Sequence, residues 1–182
     1  MSDVFRKEVR FSGSGGQGLI LDGIVLARAG VLDKFKVTQT QSYGPESRGG
    51  SSRADTIISE GDIFYPEAQN IDILIALTQT ACDKFIYEMK EDGVLIVDNN
   101  LVKNISVSIG KIYEEPFTEI TLEKLGTELP TNIVVLSFMV KITKLVTEKS
   151  LEQAICDSVK PMHKELNIKA MNLGFEIAKK YL

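Results

Sequence analysis

The chain has 182 residues, enough for one domain with a sizeable core and too few for a second full one. Apolar residues make up 43% and charged residues 25%, an ordinary globular composition, and the net charge of -4 excludes the basic face a nucleic acid requires. Two cysteines, Cys82 and Cys156, and one histidine, His163, exclude a zinc cluster, an iron-sulfur site held by this chain alone and a two-histidine metal site, and leave little room for a Ser-His-Asp triad.

The first residues, MSDVFRKEV, carry charge from the third position on and have no apolar h-region, so no signal peptide is expected. A short strand is predicted over Glu8 to Ser12, ending in Gly13-Ser14-Gly15-Gly16-Gln17-Gly18. A helix begins at Gln17, with Leu19, Ile20, Ile24, Ala27 and Val31 at helical spacing. Lys36 to Gln41 is a second strand candidate and Ser51 to Ser59 a third. In the third, Arg53, Asp55 and Ile57 share one face and Ala54, Thr56 and Ile58 the other. Between these two strands lies SYGPESRGG, residues 42–50, too short for a crossover helix. The strands are therefore antiparallel or not adjacent, and a mixed sheet is expected.

Ile71 to Leu77 is an apolar run typical of a strand covered on both faces. Thr78 to Lys90 reads as a helix, Gly93 to Val97 as another buried strand, and Lys103 to Tyr113 as one or two weaker strands. Beyond Pro116 the helices are Leu122 to Leu125, Asn132 to Val146, Leu151 to Val159 and Glu165 to Tyr181. The last has Leu166, Ala170, Leu173 and Ile177 on one stripe. Lys141 and Lys144 interrupt the most apolar stretch, which falls short of the roughly 20 residues of a membrane span. The expectation is one α/β domain over residues 1–182. It would be a three-layer α/β/α sandwich around a mixed, partly parallel sheet with a Rossmann-like start, located in the cytoplasm and without a membrane or nucleic-acid partner.

Two loops carry the candidate chemistry. Gly13 to Gly18 fits GxGxxG between a strand and a helix, where backbone N–H groups and the helix dipole favour a phosphate; a tight turn with close packing is the plainer alternative. The second strand ends Thr38-Gln39-Thr40-Gln41, without the acid that holds a ribose, and no Gly-Lys-Ser/Thr follows. Both facts weigh against a nicotinamide site or a P-loop. In the second loop Pro45 stiffens the chain, and Gly44, Gly49 and Gly50 permit unusual backbone angles. Arg48 and Arg53 can face an anion or a partner's carboxylates, the plainer alternative being a solvated omega loop. If the first two strands are neighbours, both loops leave at their carboxyl ends, where open α/β sheets bind ligands.

Taken in order, GSGGQG, then QSYGPESRGGSSRAD, then IDILIALTQ resemble the gamma subunit of 2-oxoacid:ferredoxin oxidoreductases, most closely the 2-oxoglutarate type. Asn167, Ala170 and Gly174, spaced N-x-x-A-x-x-x-G, fit as well; Ser137 departs from the small Gly or Ala of many relatives. The resemblance implies a multi-subunit enzyme that oxidises a 2-oxoacid with coenzyme A to acyl-CoA and CO2 and reduces ferredoxin. Its alpha and beta subunits, with a delta subunit as a further candidate, would be the partners. Thiamine diphosphate, magnesium and the 4Fe-4S clusters would sit in those partners, and this chain would be silent alone, with no catalytic or metal-binding residue. The same resemblance makes Gly13, Ser14, Gly15, Gly16, Gln17 and Gly18 candidates for coenzyme A phosphate. Ser47, Arg48 and Gly49 become candidates for the same ligand or for a subunit interface. A stand-alone phosphate-ligand binding module with a regulatory role is the alternative.

Overall fold

The computed structural model describes residues 4–42 and 52–182. Six strands form one sheet: β1 (Arg6–Gly13), β2 (Lys36–Ser42), β3 (Ser52–Ser59), β4 (Ile71–Ala76), β5 (Met89–Asp98) and β6 (Lys111–Glu115), in the order β2-β3-β1-β4-β5-β6. The strands β1, β4, β5 and β6 run parallel, and β3 is antiparallel to both its neighbours. The mixed α/β architecture expected from the alternating elements is present. One expectation is corrected: β1 and β2 are not neighbours, because β3 lies between them. A nine-residue connection, 43–51, permits only a return strand, and that strand takes the place beside β1.

The helices are α1 (Leu19–Leu32), α2 (Gln79–Phe85), α3 (Phe117–Leu125), α4 (Thr131–Thr143), α5 (Glu148–Ser158) and α6 (Lys164–Ala178). The main core joins α1, α4, α5 and α6 to one sheet face through Val9, Phe11, Ala54, Ile58 and Ile75. The other face carries a smaller cluster of Leu74, Ala76, Leu95, Val97, Cys82, Phe85 and Ile86. The alternation read along β3 holds: Ala54 and Ile58 enter the main core, and Asp55 takes part in a network on the opposite face.

That network centres on Arg10, whose side chain is fully buried. Its Nε and Nη2 donate to the two oxygens of Asp55 at 2.7 and 2.8 Å, Nη1 pairs with Glu88, and Nη2 also donates to the Ala68 carbonyl. A bidentate pair of this kind satisfies both charges at once.

Several boundaries differ from the periodic reading, some for a tertiary reason and some for a local one. The helix predicted to Lys90 ends at Phe85, with a 3-10 turn over Ile86–Glu88. Glu88 is drawn to Arg10 and Lys90 Nζ to Asp72 at 2.8 Å, so the chain enters β5 already at Met89. In place of strands over Lys103 to Gly110 the chain is irregular: Ile105, Val107 and Ile109 pack on the smaller cluster without a strand to pair with. Helix α3 starts five residues earlier than predicted. Asp98, twenty positions upstream, accepts from the Thr118 N–H and hydroxyl at 2.8 and 2.6 Å and caps it. Helix α4 stops at Thr143, where Lys144 turns left-handed at φ 54°. Helix α5 starts at Glu148, capped by Thr147, whose hydroxyl accepts from the Ser150 N–H.

Candidate functional site

β1 ends at Gly13, which pairs with Ser52 of β3, and Ser42 of β2 pairs with Arg53. The glycine loop and both ends of the 43–51 segment therefore meet at one edge of the sheet, the carboxyl edge of its parallel strands. The juxtaposition expected from the sequence arises through β3, not through direct pairing of β1 with β2. Ser47, Arg48 and Gly49 lie outside the described residues.

Within the glycine loop the six predicted residues divide into two roles. Gln17 folds its side chain back: Oε1 accepts from the Ser14 N–H at 2.7 Å and Nε2 donates to the Leu77 carbonyl at 3.2 Å. A Cβ at Gly13 would stand 2.2 Å from that Oε1, so only glycine admits the fold-back. Ser14 and Gln17 thus brace the loop against the end of β4. Gly16 and Gly18 adopt left-handed φ of 90° and 79°, which a side chain would strain. Gly15 and Gly16 face open space, with no atom within 4 Å of a built Cβ.

The N–H groups of Gly15, Gly16 and Gly18 have no acceptor among the described residues. Those of Leu19, Ile20 and Leu21 fall in the first turn of α1, whose first bond runs from the Asp22 N–H to the Gly18 carbonyl. The result is a row of free donors at the positive end of a 14-residue helix. A cleft of about 300 Å³ opens beside it, lined by residues 14–21 and Ser52. A second, of about 400 Å³, lies on its other side between Gln17, Leu77, Thr118, Thr131 and Asn132. Such a cradle suits a phosphate or other anionic group.

Arg53, a candidate for facing the anion, projects on the sheet face opposite α1, where it pairs with Glu67 at 3.2 Å. Beneath the loop is Asp22, buried to 1% exposure in the first turn of α1. Its burial pushes the carboxyl well above the usual carboxylate range, against the opposing donation from Asn132 Nδ2 at 2.8 Å. Sequence reasoning missed both residues. The available signal was a polar residue on an otherwise apolar helix face: Asp22 between Leu19 and Leu26, and Asn132 at the head of the most apolar helix.

A larger cleft, of about 610 Å³, lies at the opposite end of α1 and α4, around Asp33, Lys141, Lys144 and Leu145. Its acid is already satisfied, since Asp33 accepts from Thr147 and Ser150, and no glycine-rich backbone faces it. Among the described residues, no group of three or more His, Cys, Asp or Glu is placed to hold a metal. Burial raises the Cys82 thiol to about 11, which makes it a poor nucleophile or ligand. No described helix is long and apolar enough to cross a membrane.

The chain is similar to known proteins over nearly its whole length. The chain is 44% identical over 178 residues to the 2-oxoglutarate synthase subunit KorC of Methanocaldococcus jannaschii, covering 96% of this chain and 95% of that one. A solved structure, the keto/oxoacid ferredoxin oxidoreductase gamma subunit of Geobacter sulfurreducens, superposes with a TM-score of 0.85 at 41% identity, covering 96% of this chain and 99% of that one. The 2-oxoglutarate:ferredoxin oxidoreductase of Magnetococcus marinus, solved with 2-oxoglutarate, coenzyme A and succinyl-CoA, shares the fold at 19% identity and a TM-score of 0.84. That match spans 96% of this chain and only 31% of the longer one. The profile of the pyruvate ferredoxin/flavodoxin oxidoreductase family matches residues 8–177. The resemblance read from the two loops is thus borne out, and the chain belongs to the pyruvate ferredoxin/flavodoxin oxidoreductase family.

Proposed function

We propose that this chain is the gamma subunit of a 2-oxoglutarate:ferredoxin oxidoreductase, forming a single domain that is inactive alone. The observation that carries the reading is the set of backbone donors of Gly15, Gly16, Gly18 and Leu19 to Leu21, without acceptors among the described residues, in a chain 44% identical nearly end to end to a 2-oxoglutarate synthase subunit. In this reading the cradle holds a phosphate group of coenzyme A, with Gly13, Ser14 and Gln17 shaping the loop and Gly15, Gly16 and Gly18 donating. Ser47, Arg48 and Gly49 complete the site or meet a neighbouring subunit; the placement of Ser42 and Ser52 beside the cradle supports their assignment to this edge.

Alpha and beta subunits supply the rest of the machinery: thiamine diphosphate with magnesium, which activates the 2-oxoacid, and the 4Fe-4S clusters that lead to ferredoxin. This chain's own residues bind and orient coenzyme A. Backbone N–H groups at a helix N-terminus hold phosphate without titrating themselves.

The test is Gly15→Val in the complex assembled with alpha and beta subunits. Gly15 has no positive φ and open space around it, so the variant folds and fills the cradle. The expected result is a rise in KM for coenzyme A of about tenfold or more, with the KM for the 2-oxoacid unchanged. An unchanged coenzyme A KM removes the cradle from the site. Failure of the chain to join the complex, or full turnover by a complex lacking it, removes the subunit assignment and leaves a free phosphate-binding module.

A further inference from the structure

Asn132 is the second residue of α4 and is buried to 5% exposure. Its Nδ2 donates to Asp22 Oδ1 at 2.8 Å and faces the Gly18 carbonyl at 3.4 Å. A Cβ at Gly18 would lie 2.6 Å from the Asn132 amide, so the amide occupies the space that a side chain at Gly18 would take. The same residue lines the cleft of about 400 Å³ beside Gly16 and Gln17. One side chain therefore touches the loop, the first turn of α1 and the cleft wall. Burial favours the uncharged form of the Asp22 carboxyl, which lessens its repulsion of an anion held by the turn above it.

We infer that Asn132 and Asp22 are a positioning pair for the phosphate cradle, fixing the left-handed Gly18 and with it the direction of the Gly15-to-Leu21 donors. The pair acts through the backbone it holds. A loop released from α4 still folds but no longer presents its N–H groups in one direction, and misplacement on the ångström scale is enough to weaken such a site.

The inference rests on the cradle holding coenzyme A, and the experiment separates the two. In the assembled oxidoreductase, Asn132→Ala and Asp22→Ala are each expected to raise the KM for coenzyme A about tenfold, leaving the 2-oxoacid KM and the kcat at saturating coenzyme A within about twofold. Asp22→Asn, which keeps an oxygen for Asn132 to reach, is expected to recover most of the loss seen in Asp22→Ala. A uniform fall in all kinetic parameters, or no change in the coenzyme A KM, overturns the pairing role. If Asn132→Ala prevents assembly, the contrast between Asp22→Ala and Asp22→Asn decides instead, equal values overturning the inference. If Gly15→Val also leaves the coenzyme A KM unchanged, the cradle reading fails; if Gly15→Val raises it and the pair variants do not, the pairing alone fails.

Discussion

Arg10 on β1 reaches both carboxylate oxygens of Asp55 on β3, at 2.7 and 2.8 Å, with less than 2% of either side chain exposed. The two residues are 45 positions apart and fix the antiparallel β1–β3 register from which both loops depart. Arg10→Ala leaves Asp55 buried without its partner. A loss of about 3–5 kcal/mol is expected in urea unfolding. Replacing the pair together with Met and Leu should cost far less, because Glu88, the charge left without Arg10, is 41% exposed and no buried charge is stranded; equal losses for the single and double variants would refute this account.

Asp22 sets a pH dependence. Its carboxyl is raised by burial, so between its ordinary value of 3.8 and its folded value the native state holds a proton that the unfolded chain has released. Its contribution therefore falls as pH rises through that window and levels off above it. Asp22→Asn removes the term. The stability gained by the variant is expected to grow from pH 4 upward, by at most about 1.4 kcal/mol per pH unit. Calorimetric Tm values from pH 4 to 8 measure it, and a gap constant with pH would refute it.

Helices α4 and α6 touch at Gly174, where a Cβ would stand 2.3 Å from the Val134 carbonyl oxygen and 2.9 Å from the Phe138 nitrogen. Backbone is on both sides, so nothing yields easily. Gly174→Ala is expected to destabilise by about 3 kcal/mol, measured as a lower urea midpoint at unchanged slope.

Beside that contact the Ser137 hydroxyl is buried with no hydrogen-bond partner among the described residues. Ser137→Ala removes an unsatisfied group at little change in volume. A gain of about 1 kcal/mol is expected by the same unfolding measurement, and a loss would show that the hydroxyl has a partner.

The element types were largely legible in the sequence, since apolar period and strand-to-helix glycines depend on neighbours along the chain. Boundaries were less legible. Periodicity started α5 at Leu151, although its local Thr147 cap sets the start at Glu148, while α3 is capped by Asp98 from another strand and α2 is cut short by Glu88 reaching Arg10. The Asn167, Ala170 and Gly174 pattern was visible as spacing alone; the need for glycine at its last position comes from the close approach of α4, while Asn167 donates to the His163 carbonyl.

By itself the sequence determined a mixed α/β fold, a glycine turn suited to phosphate, and a pair of loops whose order points to one family. These follow from local conformational preference and burial period. Tertiary structure decided that β3 stands between β1 and β2, that the Gln17 side chain folds back to brace the loop, that Arg53 faces away, and that Asp22 and Asn132 lie beneath the cradle. Each of those depends on which strand pairs with which and on which side chains share a buried volume, a relation between residues up to 110 positions apart that no local preference encodes.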